Sequence, residues 1–534
     1  MHILYNAAYI AINMPYMRTN LCLLPAADGQ ITYVFAALQG HFRGRLMKAI
    51  NLGSSNVLST VLKLIIPAVI AQFINVLYSI VDRMFVGNIE TIGDTALAAV
   101  GVCAPITTII SSFAFLIGTG GAPLFAMALG EGREDNARKI LANAAISLAG
   151  VALFVAVLFL SLHRPLLYAF GASDHTYEYA KQYLLIYAAG AIVSVPGTGL
   201  NQYITAQGYS GMAMVSTIIG AAANIAFDPL FIFVFRLNVA GAAIATVISQ
   251  FLTFSFVVTF LRLKGTKIRL TLSAPDFKLI GKMVKYGLSP FIIMASDGLI
   301  IIIQNAVLQK MGGIEGDTWI TVATIVQAFF SLTSMPMLGI SEGSQPVLSY
   351  AYGAKNERLI KRAELCVATA CVIFTITMTI ISIFCAAPFV SLFTDNSDIT
   401  EKAIWGIRVF MIGAIPMAFQ YAFVDCFTAL GQPKYAITLS LIRKIVFFLG
   451  SIIVMPLIWG VSAAFYAEPF ADICAAILSS TIFAIVFPRV IPQSKRRRQP
   501  EKAPLPPPPQ NKRRACRRQQ LKILSCSNYC TKKT

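Results

Sequence analysis

The chain has 534 residues, 57% of them hydrophobic and only 13% charged, against about 25% charged in a soluble domain; with a mean hydropathy of +0.70 it is built for lipid. Its formal charge of +19 would suit a nucleic-acid binder, but residues 494–534 alone hold 13 Lys or Arg against one acid, Glu501, and the remaining excess falls in loops, which excludes nucleic acid as a partner. The ten cysteines are scattered, several within apolar stretches such as Cys371 and Cys385, so neither a metal-ligand spacing nor a disulfide framework is implied.

Residues 1–49 form an N-terminal extension. The stretch 1–46 lacks a basic segment followed by a clean apolar run, so no signal peptide is expected, and Met47 reads as an alternative start. Twelve apolar stretches follow, each long enough to cross roughly 30 Å of hydrocarbon. They are predicted at about 57–86, 97–127, 139–162, 181–206, 212–236 and 240–262, then 286–310, 319–349, 364–387, 404–430, 435–458 and 461–487. The fold class is thus all-α integral membrane, with an N-terminal six-helix lobe (50–262), a linker (263–285) and a C-terminal six-helix lobe (286–490). The linker carries Lys264, Lys267, Arg269, Lys278, Lys282 and Lys285 and is expected in water. Residues 491–534, with Lys495-Arg496-Arg497-Arg498 and the prolines at 506–509, read as a disordered basic tail. It either touches anionic headgroups or has no specific partner.

Lys and Arg mark cytoplasmic loops. They gather after the second, sixth, eighth and tenth spans (Arg133, Arg138 and Lys139; the linker; Lys355, Arg358, Lys361 and Arg362; Lys434), whereas 87–96 has none. Both termini are expected on the cytoplasmic side of the inner (plasma) membrane.

The two lobes are copies. Pro67/Pro290, Asp82/Asn305, Gly120/Gly343, Pro123/Pro346, Gly130/Gly353 and Gly208/Gly431 all stand 223 positions apart, and Thr205-Ala206 recurs as Thr428-Ala429. Transporters that alternate access are commonly built from such repeats, with binding sites near the membrane midplane. Pro67 and Pro290 lie inside the first span of each copy, where proline removes a helix hydrogen bond.

Ionisable groups inside spans cost about 2.5–3.5 kcal/mol each and so mark function. The first copy holds Asp82 in its first span and Asp228 in its fifth, with Asn224 four residues earlier and therefore on the same helix face. Thr246 lies in the sixth span. Carboxylate, amide and hydroxyl oxygens suit a proton or a hard cation such as Na⁺. The blander readings are a surface pair of Asp82 with Arg83, and an Asp228 that only accepts a hydrogen bond at the Pro229 irregularity. In the second copy Asp82 becomes Asn305 and Asp228 falls at Ser451, while Asp297, Glu342, Asp425, Arg443, Glu468 and Asp472 appear. Arg443 and one of the carboxylates read as a structural pair. Glu342, near Gln345-Pro346, is the second-half candidate for contact with a cationic substrate.

The strings Ile80-Val81-Asp82-Arg83-Met84-Phe85-Val86-Gly87, Asn224-Ile225-Ala226-Phe227-Asp228-Pro229 and Gly343-Ser344-Gln345-Pro346, with Tyr352-Gly353-Ala354-Lys355 and Pro469-Phe470-Ala471-Asp472, carry a resemblance. Over about 50–490 the chain resembles the multidrug and toxic compound extrusion (MATE) transporters, particularly their bacterial MepA-like branch. The resemblance implies two six-helix lobes around a central cavity, with H⁺ or Na⁺ entry coupled in the first lobe. It implies coupling roles for Asp82, Asn224, Asp228 and Thr246. It also implies a bent first helix at Pro67, with Asn75 and Tyr78 one to two turns on. Glu468-Pro469 departs from the small residue expected there.

The expected function is a cation-coupled antiporter exporting amphipathic, often cationic, organic compounds. Such a protein is expected to be a monomer among membrane lipids with no cofactor beyond H⁺ or Na⁺. A flippase for lipid-linked saccharides is the alternative; it would need a basic cavity. An enzyme is not expected, since His2, His41, His163 and His175 have no suitable partners and no phosphate loop occurs. A channel would leak without counter-ion movement.

Overall fold

Each half of the chain punctuates its helices with the same chemistry. The Asn56, Ser173, Asp276 and Asn356 side chains accept from backbone N–H groups in the first turn of the helices they precede, satisfying donors that a helix start leaves free. The computed structural model describes residues 49–491 apart from 90, 91, 264, 265, 272 and 395. The N-terminal extension and the basic tail therefore lie outside the described residues, save residues 49 and 491.

The first half comprises α1 (Val57–Gly87), α2 (Gly93–Gly130), α3 (Glu134–Ala169), α4 (Asp174–Ala206), α5 (Ser210–Pro229) with a π-helical turn Leu230–Val234, and α6 (Asn238–Arg262). The second comprises α7 (Phe277–Gly312), α8 (Gly316–Gly353), α9 (Glu357–Val390), α10 (Ser397–Ile412), α11 (Ala414–Ala429), α12 (Pro433–Leu441), a π-helical segment Ile442–Leu449, α13 (Gly450–Trp459) and α14 (Ala467–Val490). Eleven stretches are long and apolar enough to cross a membrane; α10 and α11, bent by 44°, make the twelfth. The described residues are all-helical, with no strand.

Several helix boundaries differ from expectation: α3 runs past its expected span at both ends, α4 begins at Asp174 and α10 at Ser397, and two further starts show the cause. Helix α7 begins at Phe277, so Lys278, Lys282 and Lys285, expected in the linker, stand on a helix. Helix α9 begins at Glu357 instead of 364. In both cases a capping side chain, Asp276 or Asn356, starts the helix before the apolar run does; hydropathy marks where lipid begins, whereas caps mark where the helix begins.

The duplication is visible in individual bonds. Arg133 N–H donates to Ala128 O at 2.9 Å and Asn356 N–H to Ala351 O at 3.0 Å; Tyr209 N–H donates to Ile204 O at 3.1 Å and Gln432 N–H to Phe427 O at 2.8 Å. The copies also touch symmetrically. A Cβ on Gly130 would sit 2.0 Å from the Tyr350 carbonyl oxygen, and one on Gly353 would sit 2.1 Å from that of Met127. Only glycine lets the ends of α2 and α8 cross so closely.

The leading helices are exchanged between the halves. Val57, Val61, Leu64 and Ile65 of α1 belong to the apolar core of the second half, and Met283 of α7 to that of the first. Helix α1 stays against the second half past Pro67, with Val69 on its core and Phe73 ring-to-ring with Phe374, and only its last turns, at Val86, enter the core of the first. Because Pro67 has no N–H, the Lys63 carbonyl one turn earlier loses its helical partner. The Ser210 hydroxyl at the start of α5 donates to that carbonyl at 3.0 Å, so a neighbouring helix satisfies the group that proline frees.

Ser210→Ala is expected to lower the melting temperature of the detergent-purified protein, the lost bond contributing about 1 kcal/mol. Adding Pro67→Ala returns an N–H to Lys63, so the double variant should show little extra loss from Ser210→Ala; equal losses in both backgrounds would contradict the assignment. Lys355 occupies a left-handed position (φ +53°) where Gly132 stands in the other copy (φ +73°). Lys355→Gly relieves about 1–2 kcal/mol of left-handed cost against a smaller entropic loss. It should raise the melting temperature slightly.

Candidate cation site and central cavity

One turn of α5 brings Asn224 and Asp228 together: the Asn224 Nδ2 donates to Asp228 Oδ1 at 3.1 Å. The same amide reaches the Thr246 hydroxyl on α6 at 3.4 Å. The small buried residues Gly241, Ala242, Ala243 and Ala245 allow this approach; a Cβ on Gly241 would sit 2.8 Å from the Phe231 carbonyl of the π-helical turn. From the far half of α1, the Asp82 carboxyl comes within hydrogen-bonding reach of Asp228. Asp228 is 0% exposed and Asn224 2%; Asp82 is half-buried.

Three acceptors in this cluster lack a donor: Asp82 Oδ1, Asn224 Oδ1 and Asp228 Oδ2 are buried with no hydrogen-bond partner among the described residues. Buried acceptors are rarely left so, and two facing carboxylates repel unless positive charge comes between them. Among the described residues no Lys or Arg forms an ion pair with Asp82 or Asp228; Arg83, next to Asp82, is exposed. Tyr78 and Tyr183 lie beside both acids, and Tyr183 stacks on Tyr187 with ring centroids 6.2 Å apart.

In front of the cluster lies a cavity of about 550 Å³ shared by both halves. Asn75, Tyr78, Tyr187, Asn201 and Thr246 line it from the first half, and Met294, Met335 and Glu342 from the second. The Asn75 amide donates to Gln72 Oε1 at 3.2 Å. Pro67 sits just before the lining stretch of α1, not on the cavity wall. Gln345 lies deeper, with Thr119, Gln202, Thr205 and Glu342 around a void of about 10 Å³, room for one water. The crossing of Gly130 and Gly353 closes the bundle at the end that carries the α2–α3 and α8–α9 turns.

The second half does not repeat the acid cluster. The 223-residue offset takes Asn224 to Phe447 and Asp228 to Ser451, whose hydroxyl donates to its own Phe447 carbonyl at 2.5 Å. Arg443 bonds both Asp472 and Glu468, not one carboxylate as a simple pair would. Lys444 pairs with Asp297. Asp425 accepts from the Ser341 hydroxyl and neighbours Glu342 and Glu364. Sequence reasoning missed Glu364, Lys444, Tyr183 and Tyr187. Glu364 follows the charged pair Lys361 and Arg362 and so read as loop edge, yet α9 buries it to 4% exposure. Lys444 beside Arg443, both inside an apolar run, was the available signal for a second ion pair.

The sequence profile of the MatE family matches residues 67–230 and 293–459. The multidrug export protein MepA of Staphylococcus haemolyticus is 21% identical over 80% of this chain and 93% of its own length; that of a Staphylococcus aureus strain is 23% identical over the same shares. Among solved structures, an outward-facing multidrug resistance MATE transporter of the MOP superfamily superposes with a TM-score of 0.77 at 22% identity, over 83% of this chain and 98% of that one. A MOP-superfamily transporter from Pyrococcus furiosus, described as having a binding pocket of reversed polarity, gives the same TM-score of 0.77 at 22% identity over the same shares. These likenesses bear on the fold.

Proposed function

The chain belongs to the MatE family of membrane transporters, and from that premise we propose that it is a cation-coupled antiporter that exports small amphipathic, often cationic, organic compounds. The observation that carries this reading is the donor-less oxygen cluster of Asp82, Asn224 and Asp228, set beside a cavity that both halves share. An oxygen-only set with two carboxylates fits H⁺ or Na⁺ as the coupling ion and asks for no other cofactor.

The working cycle follows from charge and packing. With Asp82 and Asp228 both ionised and facing, α1 is held apart from α5 by repulsion. Entry of a positive ion removes the repulsion and lets the far half of α1 repack on α5. The near half of α1 stays bedded in the second half, so this repacking at Pro67 alters the cavity wall where Asn75 and Tyr78 stand. Substrate leaves as the wall moves. Glu342, on the opposite wall, supplies the negative charge that attracts an organic cation, with Gln345 behind it. Each tenfold ion gradient contributes about 1.4 kcal/mol per ion, and each 100 mV about 2.3 kcal/mol per charge. That drives substantial substrate gradients without ATP.

In the orientation set by the Lys and Arg loops, both termini are cytoplasmic, the glycine crossing is the cytoplasmic gate, and the cavity faces outward in the plasma membrane. The protein acts as a monomer, each copy having its own cavity. The rival flippase reading requires basic side chains for a pyrophosphate cargo. Arg83 is the one Lys or Arg among the described lining residues, and Glu342 offsets it.

Asp82→Asn should abolish ethidium efflux while membrane insertion and yield stay at the parent level; full efflux in that variant would refute the coupling role. Purified protein in proteoliposomes, given separate pH and sodium gradients, identifies the ion: efflux should follow one gradient, and efflux independent of both would exclude antiport by either ion.

A further inference from the structure

The two halves fill the same seam differently. In the first half, α5 and α6 meet around Asn224, Asp228 and Thr246. The 223-residue offset takes Gly220 to Arg443, Ser249 to Asp472, and Thr246 to the Glu468-Pro469 step. The seam between α12–α13 and α14 thus receives a base and two acids where its counterpart holds small and hydroxyl residues. In the first half Gly220, Ser249 and Thr253 line the shared cavity, where a Cβ on Gly220 would meet the Thr253 hydroxyl at 2.4 Å.

The geometry of the second seam is tight. Arg443 Nη2 lies 2.8 Å from Asp472 Oδ1 and 3.3 Å from Glu468 Oε1, and Nε donates to Asp472 Oδ1 at 3.0 Å. Glu468 and Asp472 are four residues apart, hence on one face of α14. Tyr421 of α11 holds the guanidinium from another side, its ring centroid 5.2 Å from Cζ. The Arg443 side chain is 5% exposed and that of Asp472 0%. A guanidinium does not lose its proton in a protein, and its planar fork suits simultaneous bonding to two carboxylates and an aromatic face. Lys444, the next residue, pairs with Asp297 of α7 and ties this seam to the helix equivalent to α1.

We propose that Arg443 is a resident cation. Tethered to the chain, it neutralises Asp472 and Glu468 in the second half as an exchangeable ion neutralises Asp82 and Asp228 in the first, and it keeps the α12–α14 seam closed while the first seam cycles. This rests on the reading of the first-half acids as an ion site. Arg443 is on this account a positioning residue, and the seam around it takes no part in ion exchange.

Two variants test the assignment. Arg443→Ala leaves Asp472 and Glu468 facing an arginine-sized void, so low millimolar guanidinium should give a saturable upward shift in its melting temperature. Choline should give none, and the parent protein should respond to neither; absence of a guanidinium-specific shift in a folded Arg443→Ala protein overturns the proposal. The neutral triple variant Arg443→Met/Glu468→Gln/Asp472→Asn should fold, since buried ion networks are commonly replaceable by neutral groups of similar size. In proteoliposomes it should keep the parent's dependence on the imposed ion gradient, with efflux within about tenfold of the parent. Loss of ion dependence in the folded triple variant overturns the proposal, because the seam would then be part of coupling. Failure of both variants to fold overturns it as well, because a neutral seam has no missing charge to explain. The guanidinium shift does not involve Asp82, and the triple variant is compared with a parent whose ion dependence is measured first, so a failure here is separate from a failure of the first-half site.

Discussion

Charge taken out of water must meet opposite charge, and this constraint organises the interior of the molecule. An unpaired carboxylate in a low-dielectric setting is strongly disfavoured. In the second half Arg443 meets Asp472 and Glu468, and Lys444 meets Asp297, while the buried Glu364 has no hydrogen-bond partner on either oxygen among the described residues. The first half leaves it unmet at Asp82 and Asp228, whose outer oxygens have no donor among the described residues. The seam around α14 thus has a base of the chain among its acids, and the seam between α5 and α6 does not.

Helix α1 belongs to both halves, its near turns in the core of the second and its far turns beside Asp228. The carbonyl that Pro67 frees is held by Ser210 of α5. The joint in α1 is thus stabilised by the same helix that carries Asn224 and Asp228. The acids and the Pro67 carbonyl site thus both lie along the contact between α1 and α5. At the closed end, the glycines of α2 and α8 touch backbone to backbone, a contact with little side-chain freedom to absorb movement.

Much of this was legible in the residues. The spans followed from apolar length, because lipid selects composition directly. The repeat followed from glycines and prolines 223 positions apart, because those residues are retained where backbone geometry allows no substitute; the matching turn bonds at Ala128 and Ala351 are their physical counterpart. The spacing of Asn224 and Asp228 placed them on one helix face. Less legible were the helix starts at Phe277 and Glu357, which hydropathy cannot mark, and the break between α10 and α11 at Gly413, where the apolar run continues across the bend.

By itself, then, the sequence determined the twelve-span duplicated frame and the residue types available for an ion, since both are properties of local composition and helical period. Only the tertiary structure decided which charges meet. Asp82 and Asp228 are 146 positions apart and Lys444 and Asp297 147, separations over which no periodicity carries information. Whether a buried acid meets a neighbouring base or is left open depends on helix packing in three dimensions, and in that respect the two seams differ.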